Sequence, residues 1–290
     1  LSEGAWRYLK PHLPESTVSM RQVINAIFYV LKTGCQWRQL PREFPPWSAV
    51  YYYFYKWSHD GAWKNLHDLL RSRLREKKGR HKHPTAGCLD SQSVKCAAIP
   101  GVRGYDAGKN INGRKRHILV DTMGLLLTVF VTIASVQDRD GARSLLGNLP
   151  GCCKKLRKIR VDGGYTGQLL EWVVARFKFS LAMVPRPKQT RKFVLLPRRW
   201  VVERTFSWLN NCRRLSKSYE RLTRTDEAWV YISMSRIMLN RRAQNKIGIS
   251  KQLLKERRGE NISAVAVANK NARTAWAILS KRRSYVPVPT

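Results

Sequence analysis

The run Arg116-His117-Ile118-Leu119-Val120-Asp121-Thr122-Met123-Gly124-Leu125-Leu126-Leu127-Thr128-Val129-Phe130-Val131 decides how the chain is read. Arg116–Val120 and Leu125–Val136 have strand composition, and Asp121-Thr122-Met123-Gly124 between them reads as a hairpin turn. Upstream, the short apolar run Ala86–Asp90 predicts a further strand. Downstream, the pattern predicts a helix over Gly141–Leu149, a strand over Leu156–Val161 that ends at Asp162, a helix over Gly167–Phe177 and a strand over Ser180–Val184. Helices over Trp200–Leu215 and Glu227–Arg242 follow. Three consecutive strands, then alternation of helix and strand, predict a mixed sheet with helices on both faces.

The order β-β-β-α-β-α-β-α-α is that of the ribonuclease-H-like fold, so the expected class is α/β. A helical region precedes it. Val23, Ile24, Ile27, Val30 and Leu31 recur at helical spacing, and Gly34 is placed as a C-cap. A second helix is expected from Ser48 as N-cap through Trp57, a break at Asp60-Gly61, and a third helix over Ala62–Leu74. Several short helices in a basic chain look like a helix-turn-helix module. The expected organisation is a helical DNA-binding domain over 1–74, a polar linker over 75–86, a ribonuclease-H-like catalytic domain over 87–243 and a basic tail over 244–290.

Charge narrows the function. The chain of 290 residues carries 55 Lys and Arg against 19 Asp and Glu, a formal charge of +36. Such an excess repels itself unless a polyanion neutralises it, and nucleic acid is the expected polyanion. A membrane partner is not expected: the cations are spread along the chain rather than gathered on one amphipathic helix, and no apolar run is long enough to span a bilayer. With 43% hydrophobic residues and ten Trp, a disordered basic tail is excluded as the main state. The six Cys form no CxxC pair, which argues against a zinc site and a disulfide framework. The expected compartment is reducing and cytoplasmic, in association with the nucleoid.

Most acids read as solvated charges, Asp106, Asp226 and Glu227 among them. Asp90 lies in the first β run. Asp162 closes the apolar strand Lys158-Ile159-Arg160-Val161, and a carboxylate at the carboxyl end of a strand lies where ligands bind an α/β sheet. In the expected order these two runs are neighbours. On the helix Trp200–Leu215, Val201, Thr205, Trp208, Leu209 and Cys212 form one stripe, and Glu203 falls opposite, with Arg199, Asn210 and Arg214. Converging carboxylates repel, and a divalent cation relieves them. Two Mg²⁺ ions, with Mn²⁺ as a substitute, suit oxygen ligands and in-line phosphoryl transfer on nucleic acid. Asp121 is explained by the hairpin turn, and Asp138 and Asp140 by a helix N-terminus.

At these residues the chain resembles the DDE transposases of bacterial insertion sequences, in the group related to Harbinger elements. The matching text is Leu89-Asp90-Ser91-Gln92-Ser93-Val94-Lys95, Gly104-Tyr105-Asp106-Ala107-Gly108-Lys109, Gly113-Arg114-Lys115-Arg116-His117, Val136-Gln137-Asp138-Arg139-Asp140-Gly141-Ala142, Asp162-Gly163-Gly164-Tyr165 and Arg198-Arg199-Trp200-Val201-Val202-Glu203-Arg204. Thr33-Gly34-Cys35-Gln36-Trp37-Arg38 and Pro45-Pro46-Trp47-Ser48 look like the group's leading helical domain. The resemblance covers roughly residues 1–242. It implies a catalytic, metal-holding triad of Asp90, Asp162 and Glu203 with two Mg²⁺ ions, and it matches Arg199 to a basic residue one turn before the Glu. It also implies a Lys or Arg two turns after the Glu, where Asn210 stands and Arg213 or Arg214 substitutes. The short segment Ala264–Leu279 resembles the C-terminal end of DEDD-type transposases.

Lys95, Arg114, Lys115, Arg116, Arg199, Arg213 and Arg214 flank the acids and are expected to contact DNA phosphates. Trp37, Trp47, Tyr51–Tyr53 and Trp57 are placed in the core or on bases. The reading is an insertion-sequence transposase that binds double-stranded DNA at terminal inverted repeats and at a target, as a homodimer or larger assembly. The rival is a catalytically inactive or domesticated DNA-binding descendant.

Overall fold

Helices come first, where apolar spacing predicts them. α1 (Glu3–Leu9), α2 (Met20–Thr33), α3 (Trp47–His59) and α4 (Ala62–Lys77) occupy the leading part of the chain. α2 buries Val23, Ile24, Ile27, Val30 and Leu31. It stops where Gly34 enters the left-handed region at φ 72°, its N–H bonded to the Val30 carbonyl, as the C-cap reading requires. The break between α3 and α4 falls on Asp60-Gly61, with Gly61 at φ 79°. α3 starts at Trp47 with Pro46 at the cap, two residues ahead of the Ser48 cap expected, because the Pro46 carbonyl accepts the first helical bonds from Ala49 and Val50. The computed structural model describes residues 1–98, 101–184 and 200–244, leaving out the side chains of Cys152 and of 242–244. The tail from residue 245 lies outside the described residues.

The remaining elements are β1 (Ala86–Lys95), β2 (Gly104–Asp106), β3 (Ile111–Asp121), β4 (Leu126–Ile133), α5 (Asp138–Gly147), β5 (Lys158–Val161), α6 (Gln168–Arg176), β6 (Ser180–Met183), α7 (Trp200–Asn210), α8 (Arg213–Ser216) and α9 (Thr223–Gln244). β3 pairs antiparallel with β1 on one edge, while β2 and β4 take successive stretches of its other edge. β1 pairs parallel with β5, and β5 with β6. The sheet is therefore mixed, as expected, and β1, which carries Asp90, neighbours β5, which Asp162 directly follows.

Alternation along the strands divides the interior in two. Cys88, Ile118 and Val120 pack with side chains of α4, α7 and α9. Leu89, Leu119, Leu127, Ile159 and Val161 pack with α5 and α6. The first core continues into the leading helices: Trp229 of α9 stacks on Phe54 at 4.6 Å and on Trp37 at 5.8 Å between ring centres. The packing needs Gly113, since a Cβ there would collide with the Val94 carbonyl across the β1–β3 ladder.

Two expectations are corrected. The three-residue strand β2 is too short to show alternation, and sequence reading did not find it. The helix expected over Trp200–Leu215 ends at Asn210 and a separate turn of helix, α8, follows. The break changes the phase of everything after Asn210, with consequences for Arg214.

Candidate active site

The sheet's alternation sets the candidate site. On β1, Asp90 shares a face with Cys88, which packs beneath α7. On β5, Ile159 and Val161 face α5 and α6, so Arg160, and Asp162 in phase with it, face the other way. The ladder pairs Cys88 with Arg160, and the same register carried two residues further sets Asp162 level with Asp90. Neighbouring strands lie about 4.8 Å apart. Both aspartates are half-buried. Asp90 accepts the Ser91 N–H at 2.8 Å and Asp162 accepts the Gly164 N–H at 2.9 Å, bonds that fix the headings of both carboxylates.

Glu203 lies in the first turn of α7 and is exposed. α7 lies against that same sheet face. The Thr205 hydroxyl donates to the Gly124 carbonyl at 3.0 Å, and Gln92 reaches Asn210 at 3.5 Å. All three predicted acids thus belong to one side of the sheet. They are not gathered around a point: among the described residues no three His, Cys, Asp or Glu stand where they could hold one metal ion. As donors they are all hard oxygens, the set that Mg²⁺ takes.

The opposite face of β1 holds a network that sequence reading missed. The Ser91 hydroxyl donates to Asp138 at 2.8 Å and the Ser93 hydroxyl to Asp106 at 2.6 Å. Lys115 bridges the two acids, 3.0 Å from Asp138 and 3.5 Å from Asp106, and donates to the Val136 carbonyl. Burial alone would raise the pKa of both carboxyls. The bonds to Lys115 and Ser91 for Asp138, and to Ser93 and Lys115 for Asp106, outweigh it and hold both below the ordinary range. Tyr165, fully buried, has its phenol pushed up by burial first and then by the charges of Asp90, Asp138 and Asp162. That phenol therefore sits within the field of all three acids. Asp138 lies in the first turn of α5, as expected, and Asp121 accepts the N–H groups of Met123 and Leu125 within its turn.

Of the seven cations expected to face DNA, Lys95 and Arg213 are exposed. Arg199 lies outside the described residues. The other four are corrected to interior roles. Arg114 and Arg116 are fully buried and share Asp226, at 3.4 and 3.1 Å. Lys115 is held in its network. Arg214 is paired with Glu220 at 2.5 Å and lies over Tyr219 and Trp229. The cause is local in each case. β3 is covered on both faces, so a cation on it must find its partner inside, and the break after Asn210 turns Arg214 inward. Asp226, read as a solvated charge, is the buried partner. The signal available was an Arg-Lys-Arg-His run opening an otherwise apolar strand.

Comparison with known proteins places the chain in a family. The transposase DDE-domain family matches residues 81–238, more than half of the chain, and the chain belongs to that family. A second family, of transposases of the IS4/5 type, matches residues 1–67. A curated relative, the insertion element IS402 uncharacterized 16.2 kDa protein of Burkholderia cepacia, is 33% identical over 88 residues, which cover 26% of this chain and 60% of that protein. A solved piggyBac transposase synaptic complex with hairpin DNA is similar over 60% of this chain and 56% of that one, at 10% identity and a TM-score of 0.30, too slight a likeness to carry weight. No helix among the described residues is long and apolar enough to cross a membrane.

Proposed function

We propose that the chain is an insertion-sequence transposase that binds the ends of its element and catalyses metal-dependent DNA cleavage and strand transfer. One observation carries the reading: β1, which bears Asp90, runs parallel beside β5, which Asp162 directly follows, in the sheet that α7, the helix bearing Glu203, packs against. Antiparallel strands β1–β4 followed by the parallel strands β5 and β6 support a ribonuclease-H-like catalytic domain over 87–243. The leading helices form the helix-turn-helix-like end-binding part; α4 runs on to Lys77 and β1 starts at Ala86, so the linker expected over 75–86 shortens to 78–85, and 244–290 is a basic tail.

Asp90, Asp162 and Glu203 would hold Mg²⁺, or Mn²⁺ in its place. When bound, such ions activate a water or a 3′-hydroxyl and stabilise the oxygen leaving a phosphodiester. The chain's own residues do the positioning. The Ser91 and Gly164 N–H groups orient the aspartates, and β1, paired on both edges, keeps Asp90 from drifting. Lys95, Arg199 and Arg213 hold phosphates of terminal repeats and target. Pairing two ends requires a homodimer or larger on DNA; a sedimentation-equilibrium mass of one chain per complex would contradict it.

The test is incubation of the full chain with DNA carrying the sequences that flank its gene, with and without Mg²⁺, beside Asp162→Asn. The expected result is Mg²⁺-dependent nicking and joined product from the native chain and neither from the variant. Equal behaviour of the two proteins sinks the reading.

A further inference from the structure

The turn after α2, the start of α3 and the segment joining α8 to α9 enclose a cavity of about 610 Å³, lined chiefly by Trp37, Arg38, Trp47, Tyr51, Tyr219 and Arg221. The catalytic reading makes no use of it. Its aromatic floor is fixed in advance: Trp37 stacks on Trp229 at 5.8 Å and meets Tyr51 edge-on at 5.3 Å. The cation at its back, Arg214, is already neutralised by Glu220. Its mouth is different. Trp47 and Tyr51 remain 39% and 38% exposed, and Arg38 and Arg221 are exposed cations. Arg38 lies over the Trp47 ring at 5.5 Å. A second cavity of about 530 Å³ adjoins at Arg221 and adds His59 and Arg224.

Partly exposed flat rings, ringed by cations and adjoining a basic trough, match a nucleotide better than a duplex or an apolar peptide. We propose that the aromatic cavity receives one unstacked DNA base, stacked on Trp47 and Tyr51, while Arg221 and Arg224 hold the phosphates beside it. The inference rests on the reading of the chain as a DNA-acting protein and adds the form in which DNA is held. Every base presents a π-face, so the preference among bases is slight. Stacking offsets the few kcal/mol that unstacking a base from a duplex requires.

The experiment measures binding of the full chain, without divalent ions, to a short oligothymidylate and to the same oligomer with its central bases removed. The native chain is expected to bind the base-bearing oligomer roughly tenfold or more tighter. Trp47→Ala should abolish the difference while leaving abasic binding within about twofold, and Trp47→Phe, which keeps a ring, should retain most of it. Arg221→Ala should weaken both oligomers alike and lower the salt slope by about one. Equal binding of the two oligomers by the native chain overturns the inference, as does a preference that survives in folded Trp47→Ala. Failure of both oligomers to bind at low salt removes the nucleic-acid reading with it. A base preference in a chain that does not cleave removes only the catalytic reading.

Discussion

The first turns of α7 and α9 each carry an acid, and the two acids have opposite surroundings. Asp226 of α9 is 1% exposed and lies between Arg114 and Arg116, with the Ser218 hydroxyl donating at 2.6 Å. Glu203 of α7 is exposed. Both helices cover the same sheet face. A chain with 36 excess positive charges can neutralise an inward carboxylate from its own cations. The exposed Glu203 lies at the surface of its helix instead. Position on a helix says little about an acid's task; what the neighbouring strand presents to it says more.

The comparison can be broken hardest at Asp226. Asp226→Ala strands two buried guanidinium groups, and a loss of about 3–5 kcal/mol is expected in urea unfolding. A loss below about 1 kcal/mol would show that the arginines find other partners. Next comes Gly113→Ala. Its Cβ meets the Val94 carbonyl, and yielding shifts the strand that delivers both arginines, so a loss of about 2–3 kcal/mol is expected by the same measurement.

Glu227 sharpens the contrast one residue along from Asp226. Burial pushes its pKa up to about 7, with the Val131 N–H and Arg224 pulling it partly back. A carboxyl raised on folding binds more protons in the native state than in the unfolded one. Its neutral form is therefore fully favourable below the ordinary carboxylate range, and stability falls as pH rises through 4.5 to about 7. Glu227→Gln keeps an acceptor for Val131 and is expected to flatten that fall, by about 1 kcal/mol per pH unit, in melts taken across the interval. Parallel pH curves for the two proteins would count against it. The smallest effect on stability belongs to Glu203→Gln, within about 1 kcal/mol since the site is an exposed first turn, while strand transfer is expected to disappear.

Much of this was legible in the sequence. The hairpin turn at Asp121–Gly124, the cap at Gly34 and the break at Asp60-Gly61 are written in local residue chemistry, and the adjacency of β1 and β5 follows from element order. The acids Asp90 and Asp162 were legible because each ends or interrupts an apolar run. What was hidden is non-local. Nothing near Arg114 or Arg116 in the chain announces an acid about 110 residues on, and 100° per residue cannot foresee that α7 stops at Asn210. Ser91 and Ser93 find their partners only when Asp138 and Asp106, distant in the chain, arrive opposite them.

The core that joins Phe54 to Trp229 has a consequence for how the molecule is made. The helices synthesised first find their partner only when the last described helix has left the ribosome. Until then a basic nascent chain displays tryptophan and phenylalanine without their partner, so its leading core closes only after α9 has emerged.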